Sequence, residues 1–175
     1  MGPQLTASRT SSAAAQERLA ESVGKLTRAW IRYGKEEARR VDLMLPQLFL
    51  LGVLFDDGPI SVTRWSESIG APPSTTTGLL DGLEGAGHIL RTHDPTDRRQ
   101  VLVTLTPKGR RLAERLKTQV RGRWGELCEG IPARDLESAA ATLERVLLRM
   151  ERDLPPHAVE IRPVASRAPR VRREV

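Results

Sequence analysis

A single cysteine, Cys128, stands in 175 residues, which excludes an intramolecular disulfide framework and a cysteine-rich zinc site and fits a reducing, intracellular compartment. No apolar run approaches the roughly 18 residues of a membrane-spanning helix. Even Leu43 to Phe55 is interrupted by Pro46 and Gln47. The opening Met1-Gly2-Pro3-Gln4-Leu5-Thr6 has no basic segment leading into an apolar core, so it does not read as a secretory leader. A soluble, cytoplasmic protein without membrane contact is expected. His88, His93 and His157 are scattered, whereas a tetrahedral metal site needs three or four convergent ligands, so no metal is expected. Neither a Ser/His/Asp order nor paired catalytic carboxylates are present, and Gly78-x-x-x-Gly82 lacks the Lys-Ser/Thr of a phosphate loop. The expectation is a non-enzymatic protein without a cofactor.

What the chain does have is basic charge: 28 Lys+Arg against 22 Asp+Glu, a formal net charge of +6. Such a balance points to an anionic partner, and nucleic acid and membrane surfaces both qualify.

Residues 1–12 carry Ser, Thr, Pro and Gly with almost no apolar content and are expected to be a disordered tail. From Ala13 to about Arg40, Leu19, Val23, Leu26, Trp30 and Tyr33 recur at steps of four, three, four and three, one stripe of a long helix that wants a partner helix. Pro46 is tolerable in the first turn of a second helix, nearly all apolar from Gln47 to Phe55, with Gly58 past its end. Ser61 is the candidate cap of a short third helix through Val62, Trp65 and Ile69, stopped by Gly70. A fourth helix, Pro73 to about Ala86, places Leu79, Leu80, Leu83 and Ala86 on one face, Ser74, Thr77 and Asp81 on the other, and Thr75 and Thr76 near its start. Beyond a hairpin, two further helices are marked by Leu112, Leu116, Val120, Trp124 and Leu127 and, from about Ala133 to Leu154, by Leu136, Ala140, Leu143, Leu147 and Met150. Residues 155–175 are basic and expected to be disordered, either adding phosphate contacts or only solubilising the chain.

The hairpin is the most specific feature. Asp94-Pro95-Thr96-Asp97 predicts a tight loop, because Asp-Pro initiates turns and Asp and Thr side chains hydrogen-bond their own backbone. Arg98 and Arg99 sit at its tip, Val101, Val103 and Leu105 alternate as a strand, and Gly87 to Thr92 is the partner strand. A two-stranded ribbon with a basic tip, after a helix–turn–helix, makes a winged helix–turn–helix. Without that helical context the arginines would read as a solubilising device.

Asp-Pro-x-Asp-Arg-Arg, a hydrophobic strand, then Leu-Thr-x-x-Gly opening a helix resembles the wing of the MarR (multiple antibiotic resistance regulator) family, and the order of helices resembles that family across residues 13–154. The resemblance implies a mainly α fold with a small β-wing, an α+β class: a winged helix–turn–helix at about 43–106 between dimerisation helices at about 13–40 and 108–154. It implies a homodimer; periodicity alone does not exclude an intramolecular bundle. It implies double-stranded DNA as partner, Arg99 in the minor groove with Asp97 orienting it through a carboxylate–guanidinium contact, and Arg98 on phosphate. Ser74, Thr75, Thr76 and Thr77 match the start of the recognition helix, and Ser61 and Thr63 the start of the third helix, where hydroxyls and amides meet phosphate. Two positions depart from the family pattern: Pro72 stands where a Ser or Thr cap is common, and Gly78 where a polar reader is common.

The function implied is a ligand-responsive, dimeric transcriptional repressor at an inverted-repeat operator. The alternative is a winged-helix nucleoid binder or protein–protein adaptor without a specific operator. Trp30, Tyr33 and Trp65 are candidates to line an effector pocket, for which a small aromatic or phenolic compound is the class to test, or else they pack the core. Cys128 is either a redox sensor or a small buried hydrophobe near a helix end.

Overall fold

The computed structural model describes residues 3–153. Its elements in order are α1 (Pro3–Arg40), α2 (Leu45–Asp56), β1 (Ile60–Ser61), α3 (Val62–Ile69), α4 (Pro73–Gly85), β2 (Ile89–His93), β3 (Val101–Leu105), α5 (Pro107–Leu127) and α6 (Ala133–Asp153). They fall into two units, one ending at Leu48 and one beginning at Phe49.

In the first unit α1 is 38 residues long and begins at Pro3, so the expectation of a disordered stretch over residues 1–12 is corrected for residues 3–12. No Gly or Pro falls between Gln4 and Val23 to break the helix, and Pro3 is tolerated in the first turn, where its missing N–H has no intrahelical partner. Lys25 pairs with Glu21 at 2.6 Å and Arg40 with Glu37 at 2.8 Å, and Arg39 pairs with Glu36. The helix ends where Asp42 takes a left-handed φ of 55°, a conformation that Asp tolerates better than bulkier residues. Gln47 then returns its Oε1 to the main-chain N–H of Met44 at 2.8 Å, half of a capping box at the start of α2.

The second unit is built on the apolar face of α2. Leu50, Leu51 and Leu54 are fully buried with Leu80 and Leu83 of α4, Ile89 of β2 and Val103 of β3, and Leu112, Ala113 and Leu116 of α5 join this core. Each buried leucine, isoleucine or valine among them contributes about 1.5–3 kcal/mol. Phe55 carries the cations of Arg110 and Lys117 at 5.7 and 5.2 Å from its ring centroid, and Lys117 also pairs with Asp56, which ties the end of α2 to α5.

The ribbon expected from the sequence is one strand larger. β1 pairs antiparallel with β3 (Ile60↔Val103), giving the order β1-β3-β2. The hairpin pairs Ile89↔Leu105, Arg91↔Val103 and His93↔Val101, so β2 starts and ends later than Gly87 to Thr92. Gly87, at φ 71°, belongs to the turn before it.

The predicted seams of α5 and α6 are only partly covered. Leu112 and Leu116 are buried, but Trp124, Leu127, Leu147 and Met150 are exposed, and α6 buries no residue. Leu19, Val23 and Leu26 of α1 are exposed as well. Among the described residues no helix is long and apolar enough to cross a membrane. The tail at 155–175 lies outside the described residues.

Candidate nucleic-acid interface

The helix–turn–helix is α3 and α4. Ser61 is the cap of α3 as expected, its Oγ accepting the N–H of Arg64 at 3.2 Å, with Thr63 exposed in the first turn. Gly70 closes α3 at φ 60°, its N–H returning to the carbonyls of Glu67 and Ser66. Ser66 then bridges the turn, donating to the Ala71 carbonyl at 2.9 Å and accepting from Thr76 Oγ1 at 3.1 Å.

That last bond removes Thr76 from the proposed reading edge. Its side chain is 0% exposed, packed with Leu79, Leu80 and Leu83. The reason is helical phase: Thr76 precedes Leu79, Leu80 and Leu83 by three, four and seven positions and shares their face. Ala86, assigned to that face, is instead exposed just past the helix end. The exposed edge is therefore Ser74, Thr75 and Thr77. The Thr77 hydroxyl already donates to the Pro73 carbonyl at 2.9 Å, so toward a base it offers its oxygen and methyl rather than its proton. Pro72 makes no side-chain cap, which leaves the first main-chain N–H groups of α4 for solvent or an anion.

The wing loop is an Asx turn. Asp94 Oδ1 accepts the N–H of Thr96 at 2.7 Å, its hydroxyl at 2.6 Å and the N–H of Asp97 at 3.3 Å. These bonds, the Thr96 hydroxyl first, hold the Asp94 carboxyl below its ordinary pKa. The turn extends to Gln100, whose N–H bonds to the Asp97 carbonyl at 2.9 Å and whose carbonyl accepts from Asp94 N–H at 3.0 Å. Arg98 and Arg99 are both exposed. The expected Asp97–guanidinium contact is not what the wing uses. Asp97 accepts the main-chain N–H of Arg99 at 3.0 Å and the amide of Gln100 at 3.3 Å, because a carboxylate two positions earlier in a tight turn meets the backbone first. His93 Nδ1 donates to the Arg98 carbonyl at 3.0 Å, fastening the strand end to the tip.

At the root of the wing, Thr106 caps α5. Its Oγ1 accepts Gly109 N–H at 3.0 Å and donates to the Gly87 carbonyl at 2.7 Å, while its N–H reaches the His88 carbonyl at 3.0 Å. A Cβ on Gly109 would sit 1.9 Å from the His88 carbonyl oxygen, so the Leu-Thr-x-x-Gly pattern is a close backbone approach. His88 is buried, its Nδ1 without a hydrogen-bond partner. Desolvation, and after it the Lys108 charge, lower its pKa from the ordinary value of 6.5.

Sequence reading missed Arg91. It reaches back from β2 to pair with Asp81 of α4 at 2.7 Å. The available signal was charge pattern, a cation entering a strand after Asp81 and Glu84 at helical spacing.

Trp30 and Tyr33 are in contact on α1, ring centroids 5.2 Å apart. Trp65 is 2% exposed, a core residue of the second unit with its indole N–H unpartnered. Cys128 is half-buried at the C-cap of α5. Among the described residues no group of three or more His, Cys, Asp or Glu could hold a metal ion.

The sequence model of the MarR family matches residues 43–101, from the start of α2 through the wing. The chain is 40% identical over 76 residues to the uncharacterized HTH-type transcriptional regulator YfiV of Bacillus subtilis, covering 43% of this chain and 48% of that protein. It is 39% identical over 71 residues to the HTH-type transcriptional regulator TtmR of Methylorubrum extorquens, covering 41% and 36% respectively. The match thus spans about half the length of these relatives or less. Two solved structures share the fold over most of the chain. A MarR transcriptional regulator from Methanosarcina mazei Go1 superposes with TM-score 0.67 at 23% identity, over 79% of this chain and 99% of that one. Staphylococcus aureus MepR, in a complex with DNA, superposes with TM-score 0.60 at 20% identity, over 75% and 97%.

Proposed function

We propose that the chain, whose residues 43–101 match the MarR family model, is a sequence-specific DNA-binding transcriptional regulator of that family, a homodimeric, ligand-responsive repressor acting at an inverted-repeat operator. The observation that carries this reading is the pairing in one unit of an exposed hydroxyl edge on α4 with a wing whose tip presents Arg98 and Arg99. A helix edge of that kind suits the major groove, and an arginine on a narrow ribbon suits the negative potential of a narrowed minor groove. MepR, which shares the fold, is a DNA binder. The homodimer is supported by the apolar residues left exposed on α1, α5 and α6, which a second copy would cover. For the ligand response, Trp30 and Tyr33, in contact on α1, are the residues to test against an aromatic effector.

A second reading, a nucleoid binder without a specific operator, is favoured by the composition of α4. With Thr76 buried and Gly78, Gly82 and Gly85 in the helix, few side chains remain to read bases. Titration of the protein against its own upstream DNA and against scrambled DNA of equal length separates the two. A preference of about a thousandfold or more supports the repressor, and equal affinity contradicts it. Release of the upstream DNA by phenolic or aromatic acids tests the ligand response.

A further inference from the structure

Building on the DNA-binding reading above, we propose that Arg91 is a positioning residue for recognition: it locks the reading edge of α4 to the wing, so that both can engage one duplex at once. Arg91 lies on β2 opposite Val103. Its Nη1 donates to Asp81 Oδ1 at 2.7 Å and lies 3.6 Å from Glu84 Oε2, and its Nη2 donates to the Thr77 carbonyl at 3.3 Å. Its main-chain N–H also donates to Glu84 Oε1 at 3.2 Å. Thr77, Asp81 and Glu84 follow one another at four and three residues, a single stripe of α4. One strand residue thus grips a full face of the helix, and the grip includes the backbone of Thr77, which stands on the exposed edge.

The other end of β2 carries the same linkage forward, since His93 holds the Arg98 carbonyl at 3.0 Å. Contacts therefore run without a break from Thr77 through Arg91 and the strand to the wing tip. Beyond the buried side chains of Leu80, Leu83 and Ile89, α4 and β2 are joined by a short turn containing Gly87 at φ 71°. A duplex presents its grooves at a set separation, so a helix and wing free to pivot about that turn would satisfy one groove at the expense of the other. The geometry calls for arginine in particular. Its planar fork reaches the Asp81 carboxylate and the Thr77 carbonyl together, whereas a lysine ammonium is a point charge on a flexible stem. The Arg91 side chain is 23% exposed against 59% for Asp81, so the cation is partly shielded beneath its partner rather than loosely paired in solvent.

The test uses the full chain, the duplex it enriches from a random pool, and a scrambled duplex of equal length. Binding is read by fluorescence anisotropy at matched salt, well below each variant's melting temperature. Arg91→Lys and Asp81→Asn are each expected to lower the preference for the enriched duplex about tenfold, with binding to the scrambled duplex changed less than about twofold. Asp81→Asn decides the sign: removing a negative charge beside DNA predicts tighter binding by charge counting, while loss of the clamp predicts a smaller preference. A role confined to stability lowers the melting temperature and leaves the preference intact. A preference within about twofold of the parent for both variants, or tighter binding by Asp81→Asn to both duplexes, overturns the proposal. If Arg91→Lys does not fold, Asp81→Asn, at an exposed position, decides alone. Failure of the parent chain to enrich any duplex is a separate result, which contradicts the DNA-binding reading itself.

Discussion

The Asp97 carboxylate takes the main-chain N–H of Arg99 at 3.0 Å, so it fixes the backbone on which the arginine stands while the side chain remains exposed. Asp97→Ala is therefore expected to weaken specific binding several-fold although it removes a negative charge near DNA, and Asp97→Asn, which keeps an oxygen acceptor, to bind close to the parent. Arg99→Lys is expected to lose about tenfold in specific affinity and Arg98→Lys little, since a guanidinium reads a narrow minor groove and a phosphate accepts either cation. Anisotropy on operator and scrambled DNA checks all four, and tighter binding by Asp97→Ala would contradict the assignment. Two glycines make a second contrast. A Cβ at Gly109 meets the His88 carbonyl oxygen at 1.9 Å, whereas at Gly78 nothing lies within 4 Å. Gly109→Ala is expected to destabilise by about 1–3 kcal/mol or more, and Gly78→Ala to stabilise by about 1 kcal/mol. Urea unfolding measures both, and a neutral Gly109→Ala would mean that the wing root is not closely packed.

At the level of elements, the root of the wing should register pH. Burial holds His88 below its ordinary value of 6.5, so the unfolded chain binds the proton first and stability falls as pH drops below about that value. The contribution is intact above it and is lost down to the folded pKa. Melting followed between about pH 8 and about pH 5 is expected to show a decline that flattens in His88→Gln; an equal slope in both proteins would contradict the assignment. Elements written in local chemistry were legible from sequence: Ser61 and Gly70 bound α3, and Asp94 to Asp97 form the turn. Elements that depend on distant partners were not. β1 is only two residues long and exists because Ile60 finds Val103. Arg91 finds Asp81 only once α4 and β2 lie side by side. Thr76 was misplaced by counting polarity ahead of helical phase, since a hydroxyl that donates to Ser66 is as buried as a leucine. The early start of α1 was hidden by Ser and Thr, which lower helix propensity without forbidding a helix.

For the whole molecule, the apolar side chains of Leu26, Trp124, Leu147 and Met150 remain exposed on one chain, and their cover by a second copy would present two wings and two α4 edges to one duplex. Two recognition helices must reach major-groove faces about 34–36 Å apart, which sets half-sites about one helical turn from each other. Hydroxyl-radical footprinting of the full chain on its bound DNA tests this most directly. The account predicts a two-fold symmetric footprint in which minor-groove protection at the outer flanks is lost in Arg99→Ala while the inner protection remains. A footprint without two-fold symmetry, or one whose flanks are unchanged in Arg99→Ala, would contradict it.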